Sequence, residues 1–303
     1  MPLKPTATTT ILLITLNLIL ICACKQKKSA EEITSENPAA TILKEALTFY
    51  ASFDDSIDAD FALGDAHLYT VPNRRERDSA RQGLHKTDIR REAGKGRYGS
   101  GLVFTARSRG TIYYASEKNV AYNTENWSGA ISFWLSLDPE TDLEPGYCDP
   151  IQITDSGYND AAIWVDFTKE NPRDFRLGVI GDREVWNPNP KGPDNENPIF
   201  INRLTGVKNP PFGSDAWTHI LINFSNLNTE NGQASLYING EHRGSRNTIG
   251  TPFTWNPEQS NIYLGLGYIG LMDELSIFNR KLTDTEINTL YHLKNGVHDL
   301  LEP

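Results

Sequence analysis

Residues 127–137 read Trp-Ser-Gly-Ala-Ile-Ser-Phe-Trp-Leu-Ser-Leu, and every second residue from 131 onward is a large apolar one. Successive side chains of a β-strand point to opposite faces, so this spacing predicts a strand with one buried face. Nine more apolar or alternating segments lie between turn residues, at 47–53, 101–106, 150–154, 161–167, 175–180, 217–224, 234–239, 261–266 and 269–278. Ten such segments without helical periodicity between them predict an all-β fold, a two-sheet antiparallel β-sandwich.

Two local signals refine this prediction. Asn239-Gly240 follows an alternating apolar segment and predicts a β-hairpin with a type I′ turn. Near the carboxyl end, Thr283 and Glu286 have the spacing of a capping box, and residues 287–291 place apolar side chains on one helical face. The sequence therefore predicts one short carboxyl-terminal helix, packed over an edge or end of the sandwich.

The amino terminus has the features of a signal for export. An apolar run over residues 11–21 follows Lys4 and is too short to cross a bilayer as a helix. It ends in Ile21-Cys22-Ala23-Cys24, which resembles the cleavage site of bacterial lipoproteins. We therefore expect a signal peptide at residues 1–23 and lipidation of Cys24; the alternative is an amphiphilic segment with incidental cysteines.

The domain organisation follows from composition. Residues 24–43 are rich in Lys, Glu, Ser and Ala and contain no aromatic residue, which predicts a flexible tether. The sandwich is expected at residues 44–297 and a tail at residues 298–303. Lys25 after the lipidated cysteine resembles the outer-membrane lipoproteins of Gram-negative bacteria, and this resemblance implies a lipid-anchored protein of the cell envelope, at the outer membrane.

The charge balance limits the classes of partner. The chain has 39 acidic and 29 basic residues and a formal net charge of −10. Nucleic acid is excluded as a partner because phosphate binding needs a basic surface. Of the three cysteines, only Cys148 falls in the predicted sandwich, so a disulfide framework is excluded as well.

Five segments in register resemble the laminin G-like domains of the concanavalin A-like lectin/glucanase superfamily. They are Gly96–Phe104, Trp127–Leu135, Trp217–Ile220, Leu236–Gly240 and Gly270–Thr283. The resemblance covers roughly residues 45–295 and implies a jelly roll of two antiparallel sheets. It also implies binding of glycans or proteins, sometimes with calcium. The chain departs from the family pattern at residues 74–91, which are basic, and at residues 183–212, which are rich in Pro and Asn.

A structural calcium site is one hypothesis. Strand alternation places Asp273 on the same apolar face as Leu275 and Ile277, where an ionised carboxylate needs a cation or several hydrogen-bond donors. Asp54 and Asp55 lie in a turn whose oxygens suit calcium, and the resemblance implies calcium between such elements. We therefore expect calcium held by Asp54 or Asp55 with Asp273. The alternative is that Asp273 accepts hydrogen bonds from the protein.

A catalytic interpretation rests on the carboxylates of Glu140, Asp142 and Glu144, which have the spacing of a trio in some related β-glucanases. Pro139 and Pro145 bracket them and favour a solvated loop. The histidines lack the H-E-x-x-H spacing of a zinc site, and His219 is expected to be a buried core residue.

Sugar binding would need aromatic rings on loops, since rings offer much contact area at low entropic cost. The candidates are Trp186 and Phe200 in the 183–212 insertion, Trp255 in a proline-bounded loop, and Tyr158. The alternative for each is packing beneath a long loop. The sequence thus predicts a membrane-tethered, non-catalytic module that binds carbohydrate or protein. A glycan-cleaving enzyme and a structural envelope lipoprotein are the alternatives.

Overall fold

Two antiparallel sheets stack face to face over residues 38–74, 76–108 and 110–301, which the computed structural model describes. Strands are numbered in chain order. The first sheet runs, from edge to edge, through β15 (Glu241–Arg246), β14 (Gln233–Ile238), β13 (Thr218–Leu227), β8 (Trp127–Ser136), β17 (Gly270–Phe278), β1 (Leu47–Ala51) and β2 (Phe61–Ala62). It also contains β6 (Ser100–Phe104), which pairs with β17, and β5 (Ile89–Ala93), which pairs with β6.

The second sheet has eight strands among the described residues. They are, in order, β12 (Leu204–Val207), β11 (Phe175–Ile180), β10 (Ala162–Phe167), β9 (Cys148–Thr154), β16 (Asn261–Leu266), β7 (Thr111–Ala115), β3 (Leu68–Val71) and β4 (Arg81–Gln82). All strand pairs are antiparallel, so the predicted two-sheet sandwich of the jelly-roll kind is confirmed.

Five helices accompany the sheets in the described residues. They are α1 (Pro38–Ala46), α2 (Arg183–Trp186), α3 (Pro198–Ile201), α4 (Asp284–Tyr291) and α5 (His298–Leu301), with 3₁₀ turns at Arg77–Ser79 and Asp194–Glu196. The predicted carboxyl-terminal helix is α4. Its capping box is present: the Thr283 side chain accepts from the Glu286 backbone, and the Glu286 side chain accepts from the Thr283 backbone. The prediction of a single helix missed the other four, which have four to nine residues.

The main core lies between the two sheets, where alternate residues of facing strands meet. On β8, Ile131, Phe133 and Leu135 are buried in this core, whereas Ser132 and Trp134 face the opposite side of the sheet. Burial of each such apolar side chain stabilises the fold by roughly 1.5–3 kcal/mol. Because a slip of one residue would turn these side chains outward, the core also fixes the register of the strands.

The hairpin prediction is confirmed by backbone conformation. Asn239 and Gly240 join β14 to β15 with φ angles of 54° and 75°, and a type I′ turn needs positive φ at both positions. Strands β5 and β15 were not predicted because they are short and rich in charged residues. Strand β7 was also missed, although its sequence, Thr-Ile-Tyr-Tyr-Ala, is β-branched and aromatic and could have been found.

The folded part begins earlier and ends later than predicted. Helix α1 starts at Pro38, inside the range assigned to the tether, and packs with α4 and α5 on the outer face of the first sheet. Leu43 is fully buried there. Leu300 of α5 is also buried, although it falls in the predicted tail. The spacing of Ala and Leu in residues 40–47 gives α1 an apolar face. Burial of this face against the domain stabilises the helix.

Cys24 and the predicted signal peptide at residues 1–23 lie outside the described residues, as does the first part of the predicted tether. In the described ranges, the structure contains no helix that is both long and apolar enough to cross a bilayer. Lipidation of Cys24 therefore stays a prediction.

We predict that Leu43→Ala lowers the free energy of unfolding by about 2–4 kcal/mol, because it leaves a cavity between α1 and its neighbours. The adjacent Ile42→Ala is the matched control: Ile42 is 46% exposed, and its substitution should change stability by no more than about 0.5 kcal/mol. Urea denaturation of both variants measures the difference. Equal stability of the two variants would show that α1 contributes nothing to the folded domain.

Candidate ligand pocket

A β-bulge on the second sheet brings two carboxylates together. Cys148 and Ile151 of β9 both face the core, so Asp149 and Pro150 lie between them as a pair opposite Asp166 of β10. A bulge of this kind redirects side chains, and such bulges are common beside functional sites. Here it turns Asp149 to the outer face of the sheet, next to Asp166.

Asp166 is held by an arginine from the next strand. Arg176 of β11 donates from Nε to Asp166 Oδ1 at 2.8 Å and from Nη2 to Oδ2, and its Nη1 donates to Asn195 Oδ1 at 2.9 Å. Burial raises the pKa of Asp166, and the bidentate bond to Arg176 opposes this shift. The planar guanidinium thus fixes the Asp166 carboxylate in one orientation.

Asp149 differs from Asp166 because its carboxyl makes no hydrogen bond or ion pair within the part of the chain that the structure describes. Burial and the neighbouring Asp166 raise the pKa of Asp149 well above its usual range, while Arg74 and Arg176 act against this shift. This shift favours the protonated form of the group, which has one O–H donor and free acceptor capacity. Its hydrogen-bonding capacity is open toward a ligand.

Aromatic side chains surround these polar groups. A cavity of about 160 Å³ is lined by Tyr147, Asp149, Tyr158, Trp164, Asp166, Arg176, Asn195 and Phe200. The Tyr147 ring lies 4.8 Å from Cζ of Arg176. The Tyr158 side chain is 37% exposed and donates from its hydroxyl to Asp194 Oδ2 at 3.0 Å. Burial and this bond raise the pKa of Tyr158 to about 12, so it presents a neutral phenol.

The 183–212 insertion forms one wall of the cavity. Phe200 of α3 stacks on Trp164 of β10 with ring centroids 6.3 Å apart, and Trp186 of α2 lies behind Phe200 at 5.6 Å. Trp164 and Trp186 donate from their indole nitrogens to the backbone carbonyls of Tyr158 and Asn159, at 2.6 and 3.0 Å. The insertion is therefore a packed layer on the sheet with its own small core.

The four predicted ligand-binding aromatics divide into two pairs. Tyr158 and Phe200 lie in the pocket, and their role in binding stays a prediction. Trp186 and Trp255 are only 5% and 6% exposed. Trp255 packs in the main core, 4.7 Å from Trp127. Such low exposure favours the alternative of packing beneath a loop for both rings, although Trp255 also lines a separate cavity with Tyr122. Their role in binding stays a prediction.

Sequence reasoning missed Asp149, Asp166 and Arg176, because these residues come from three strands and one of them is placed by a bulge. A signal was nevertheless present. Asp166 stands between Val165 and Phe167 in an otherwise apolar strand, and Arg176 interrupts an apolar run in the same way. Charged residues inside buried strands point to a partner or a ligand on the outer face of the sheet.

The residues of the calcium hypothesis are spread around the segment that joins β5 to β6. Asp54 Oδ1 accepts from the Ser100 backbone at 2.7 Å, and Asp273 Oδ2 accepts from the Tyr98 backbone at 3.1 Å, whereas Asp55 is exposed. The other oxygen of Asp273 is buried without a hydrogen-bond partner. Within the described ranges no three Asp, Glu, His or Cys side chains are grouped as metal ligands. Calcium takes six to eight oxygens, so a site here would need backbone or water oxygens in addition to Asp54 and Asp273, and the calcium hypothesis stays a prediction.

A second bulge changes the face that Asp273 occupies. The register between β17 and β8 shifts between Asp273 and Ser276, and Glu274 has a φ of 57°. Asp273 consequently lies opposite Trp134 on the outer face and not with Leu275 in the core, as the alternation predicted. Burial and the adjacent Glu274 raise the pKa of Asp273 to about 9, and burial raises the pKa of Glu274 to about 8.

The other sequence candidates lie outside this pocket, and Glu140 lines a separate cavity. Glu140, Asp142 and Glu144 lie in the loop between β8 and β9, where Asp142 Oδ2 accepts from the Asp138 backbone at 2.7 Å. His219 is buried, its Nε2 lies 2.8 Å from Ser132 Oγ, and burial lowers its pKa to about 3. It is the neutral core histidine that the sequence predicted.

Comparison with known families gives one match. A laminin G sequence model, described as the concanavalin A-like lectin/glucanases superfamily, matches residues 108–288. No curated protein matches the chain.

Three solved structures are similar to this chain. The binding domain of botulinum neurotoxin serotype D, in complex with N-acetylneuraminic acid, is 11% identical with a TM-score of 0.52, covering 84% of this chain and 53% of that one. The binding domain of botulinum neurotoxin DC, in complex with rat synaptotagmin II, is 12% identical with a TM-score of 0.52. The match covers 82% of this chain and 52% of that one. Domain 4 of an arabinanase from Geobacillus stearothermophilus, in complex with arabinotriose, is 17% identical with a TM-score of 0.48. The match covers 80% of this chain and 97% of that one. This chain spans about half the length of the toxin domains.

We predict that the free energy of unfolding falls as the pH rises from about 4 toward 8–9, because Asp273 and Glu274 keep their protons in the folded chain with pKa values of about 9 and 8 and lose them on unfolding. Each carboxyl contributes a slope of at most about −1.4 kcal/mol per pH unit. Asp273→Asn should make this slope shallower. Urea denaturation across the pH range measures it.

Asp55→Asn removes an exposed carboxyl near the same segment and is the matched control for this measurement. The melts are repeated with added calcium and with a chelator. A calcium-dependent rise in melting temperature that disappears in Asp273→Asn would contradict the protonated state and support the calcium hypothesis. An unchanged dependence of stability on pH in Asp273→Asn would also contradict the protonated state of Asp273.

Proposed function

Because the chain belongs to the concanavalin A-like lectin/glucanases superfamily, we propose that it is a non-catalytic binding module that takes carbohydrate in the pocket over β9, β10 and β11. The observation that carries the proposal is the unpaired Asp149 carboxyl in a cavity that also presents Arg176, Asn195 and tyrosine side chains. A sugar combines hydroxyl groups with apolar C–H faces. This pocket offers hydrogen-bonding groups for the former and rings for the latter.

The size of the pocket favours a small ligand over a protein surface. Its volume of about 160 Å³ lies below the roughly 300 Å³ at which pockets for drug-sized ligands begin. Stable protein partners bury about 800 Å² on each side of an interface. Among the toxin domains of similar fold, one is in complex with a sialic acid and another with a protein. We therefore propose carbohydrate as the ligand and keep protein as the alternative.

The state of the two carboxylates supports binding over cleavage. A retaining glycosidase needs a free nucleophile and a free acid/base carboxyl about 5 Å apart across the sugar. In this pocket Asp166 is engaged in a bidentate ion pair with Arg176, which leaves only Asp149 free. The carboxylates of the β8–β9 loop lie outside the pocket lining. Glycan cleavage is the alternative to binding alone, and the release of reducing ends tests it.

We also propose that the domain is held at the cell envelope, at the outer membrane, by lipid on Cys24. This proposal is supported by the Ile21-Cys22-Ala23-Cys24 sequence and by the polar residues that follow it. Several acyl chains make such anchoring stable, because one chain gives only marginal membrane affinity.

We predict that Asp149→Ala weakens glycan binding by about 5- to 30-fold, because the loss of one or two hydrogen bonds to a ligand costs about 1–2 kcal/mol. Tyr158→Phe keeps the ring and should weaken binding less than Tyr158→Ala. A printed glycan array, followed by calorimetry on the glycan bound best, gives the measurement.

Glu140→Gln, in the loop outside the pocket, is the control and should bind as the unaltered protein does. Release of reducing ends is measured in the same samples. Unchanged binding in Asp149→Ala would place the site elsewhere. Release of reducing ends that Glu140→Gln abolishes would favour the enzyme alternative.

For the anchor, we predict that cells expressing the protein incorporate labelled palmitate into it, and that Cys24→Ser abolishes the label because acylation needs this thiol. Cys22→Ser is the matched control and should retain the label. Loss of label in Cys22→Ser alone, or its retention in Cys24→Ser, would contradict the assignment.

A further inference from the structure

We infer that the pocket accepts the terminal sugar of a glycan chain and excludes the interior of the chain, an inference that rests on the proposed carbohydrate function. An interior segment must enter and leave a binding site in two directions. Side chains stand at both ends of the pocket along the strands, the 183–212 insertion lies on one side across them, and Arg74 lies next to the pocket lining on the other.

Two tyrosines close the pocket along the strand direction. The floor of the pocket is the outer face of β9, β10 and β11. Tyr147 directly precedes β9 and Tyr158 follows its other end, so the two tyrosines lie at opposite ends of this floor. Tyr147 is placed by its ring contact with Arg176. Tyr158 is placed by its backbone, which accepts from Trp164 Nε1, and by its hydroxyl, which donates to Asp194. Each ring is thus held in position by the sheet or the insertion.

The two insertions that interrupt the family pattern close the pocket across the strands. On the β11 side, the insertion at 183–212 supplies Phe200 and Asn195. On the β16 side, Arg74 donates to the Gln152 side chain of β9 and lies over the Tyr263 ring, with Cζ 5.0 Å from the centroid. The sheet face that would otherwise be an open surface is covered on both sides of Asp149.

The remaining space fits one sugar ring. The cavity of about 160 Å³ is roughly twelve times the 10–15 Å³ that one water position requires. A hexose has about a dozen heavy atoms and so fills a cavity of this size. A second ring has no room inside, and the rest of the chain leaves through the mouth.

The chemistry of the floor agrees with an end group. A terminal residue at the non-reducing end carries a free hydroxyl where an interior residue carries a glycosidic bond. Asp149 is the group on the floor whose hydrogen-bonding capacity is unused among the described residues. A free hydroxyl can both donate and accept, which a glycosidic oxygen cannot do.

The test compares single sugars with short chains, using calorimetry on the full-length chain. The probes are glucose with maltotriose, mannose with mannotriose, xylose with xylotriose, arabinose with arabinotriose, and N-acetylglucosamine with chitotriose. For each pair that binds, we expect the two dissociation constants to agree within about threefold, because rings beyond the first contribute few contacts. A trisaccharide that binds about tenfold more tightly than its monosaccharide or better would indicate a groove and overturn the inference.

A variant with an opened wall gives a second measurement. Tyr147→Ala should raise the affinity for the trisaccharide relative to the monosaccharide, because the chain could then extend past the end of β9. Tyr69→Ala, a half-buried tyrosine on β3 outside the pocket lining, is the control and should leave the ratio unchanged. An unchanged ratio in Tyr147→Ala would show that this ring does not limit chain length.

These outcomes separate the two proposals. If trisaccharides bind much more tightly and Asp149→Ala abolishes that binding, the carbohydrate function holds and the restriction to chain ends is wrong. If none of these probes binds and the glycan array is also negative, the carbohydrate function itself fails, and the restriction fails with it.

Discussion

The fold depends on apolar packing between the inner faces of two sheets. Side chains such as Phe133 and Leu135 of β8 meet those of the opposite sheet in this core, and their burial fixes which residues of each strand face inward. Polar groups can then occupy only the outer faces, the loops and the points where the alternation is broken. The candidate pocket and the acidic pair at residues 273 and 274 both lie where it is broken.

Bulges supply these breaks. In β9 the bulge turns Asp149 outward beside Asp166, and in β17 it turns Asp273 away from the core. In both places two carboxyls are brought close together with little water, so their pKa values rise. The same distortion of the sheet thus creates a group available to a ligand in one place and a pH-sensitive contribution to stability in the other.

The insertions convert an open sheet face into a pocket. The segment 183–212 forms a small apolar core of its own against Trp164. Arg74, at the start of the 74–91 insertion, lies over Tyr263 of the neighbouring strand β16. Both insertions also contribute to the sandwich itself. The first supplies β4 and Ile89 of β5, which lies in the main core, and the second supplies β12 and Phe212, which packs against that core. Asn195 and Phe200 of the pocket thus come from a part that departs from the family pattern, whereas its other lining residues lie on β9, β10 and β11 or in the loops beside β9.

The sequence by itself determined the sandwich, ten of its strands, the Asn239-Gly240 hairpin and the capped helix α4, because alternation, turn chemistry and capping are local properties of the chain. It also pointed to Tyr158 and Phe200. Only the tertiary structure decided that Trp186 and Trp255 are buried, that α1 belongs to the folded domain, and that Asp149 meets Asp166. Those outcomes depend on contacts between residues far apart in the chain and on bulges, whose positions a two-residue period does not reveal.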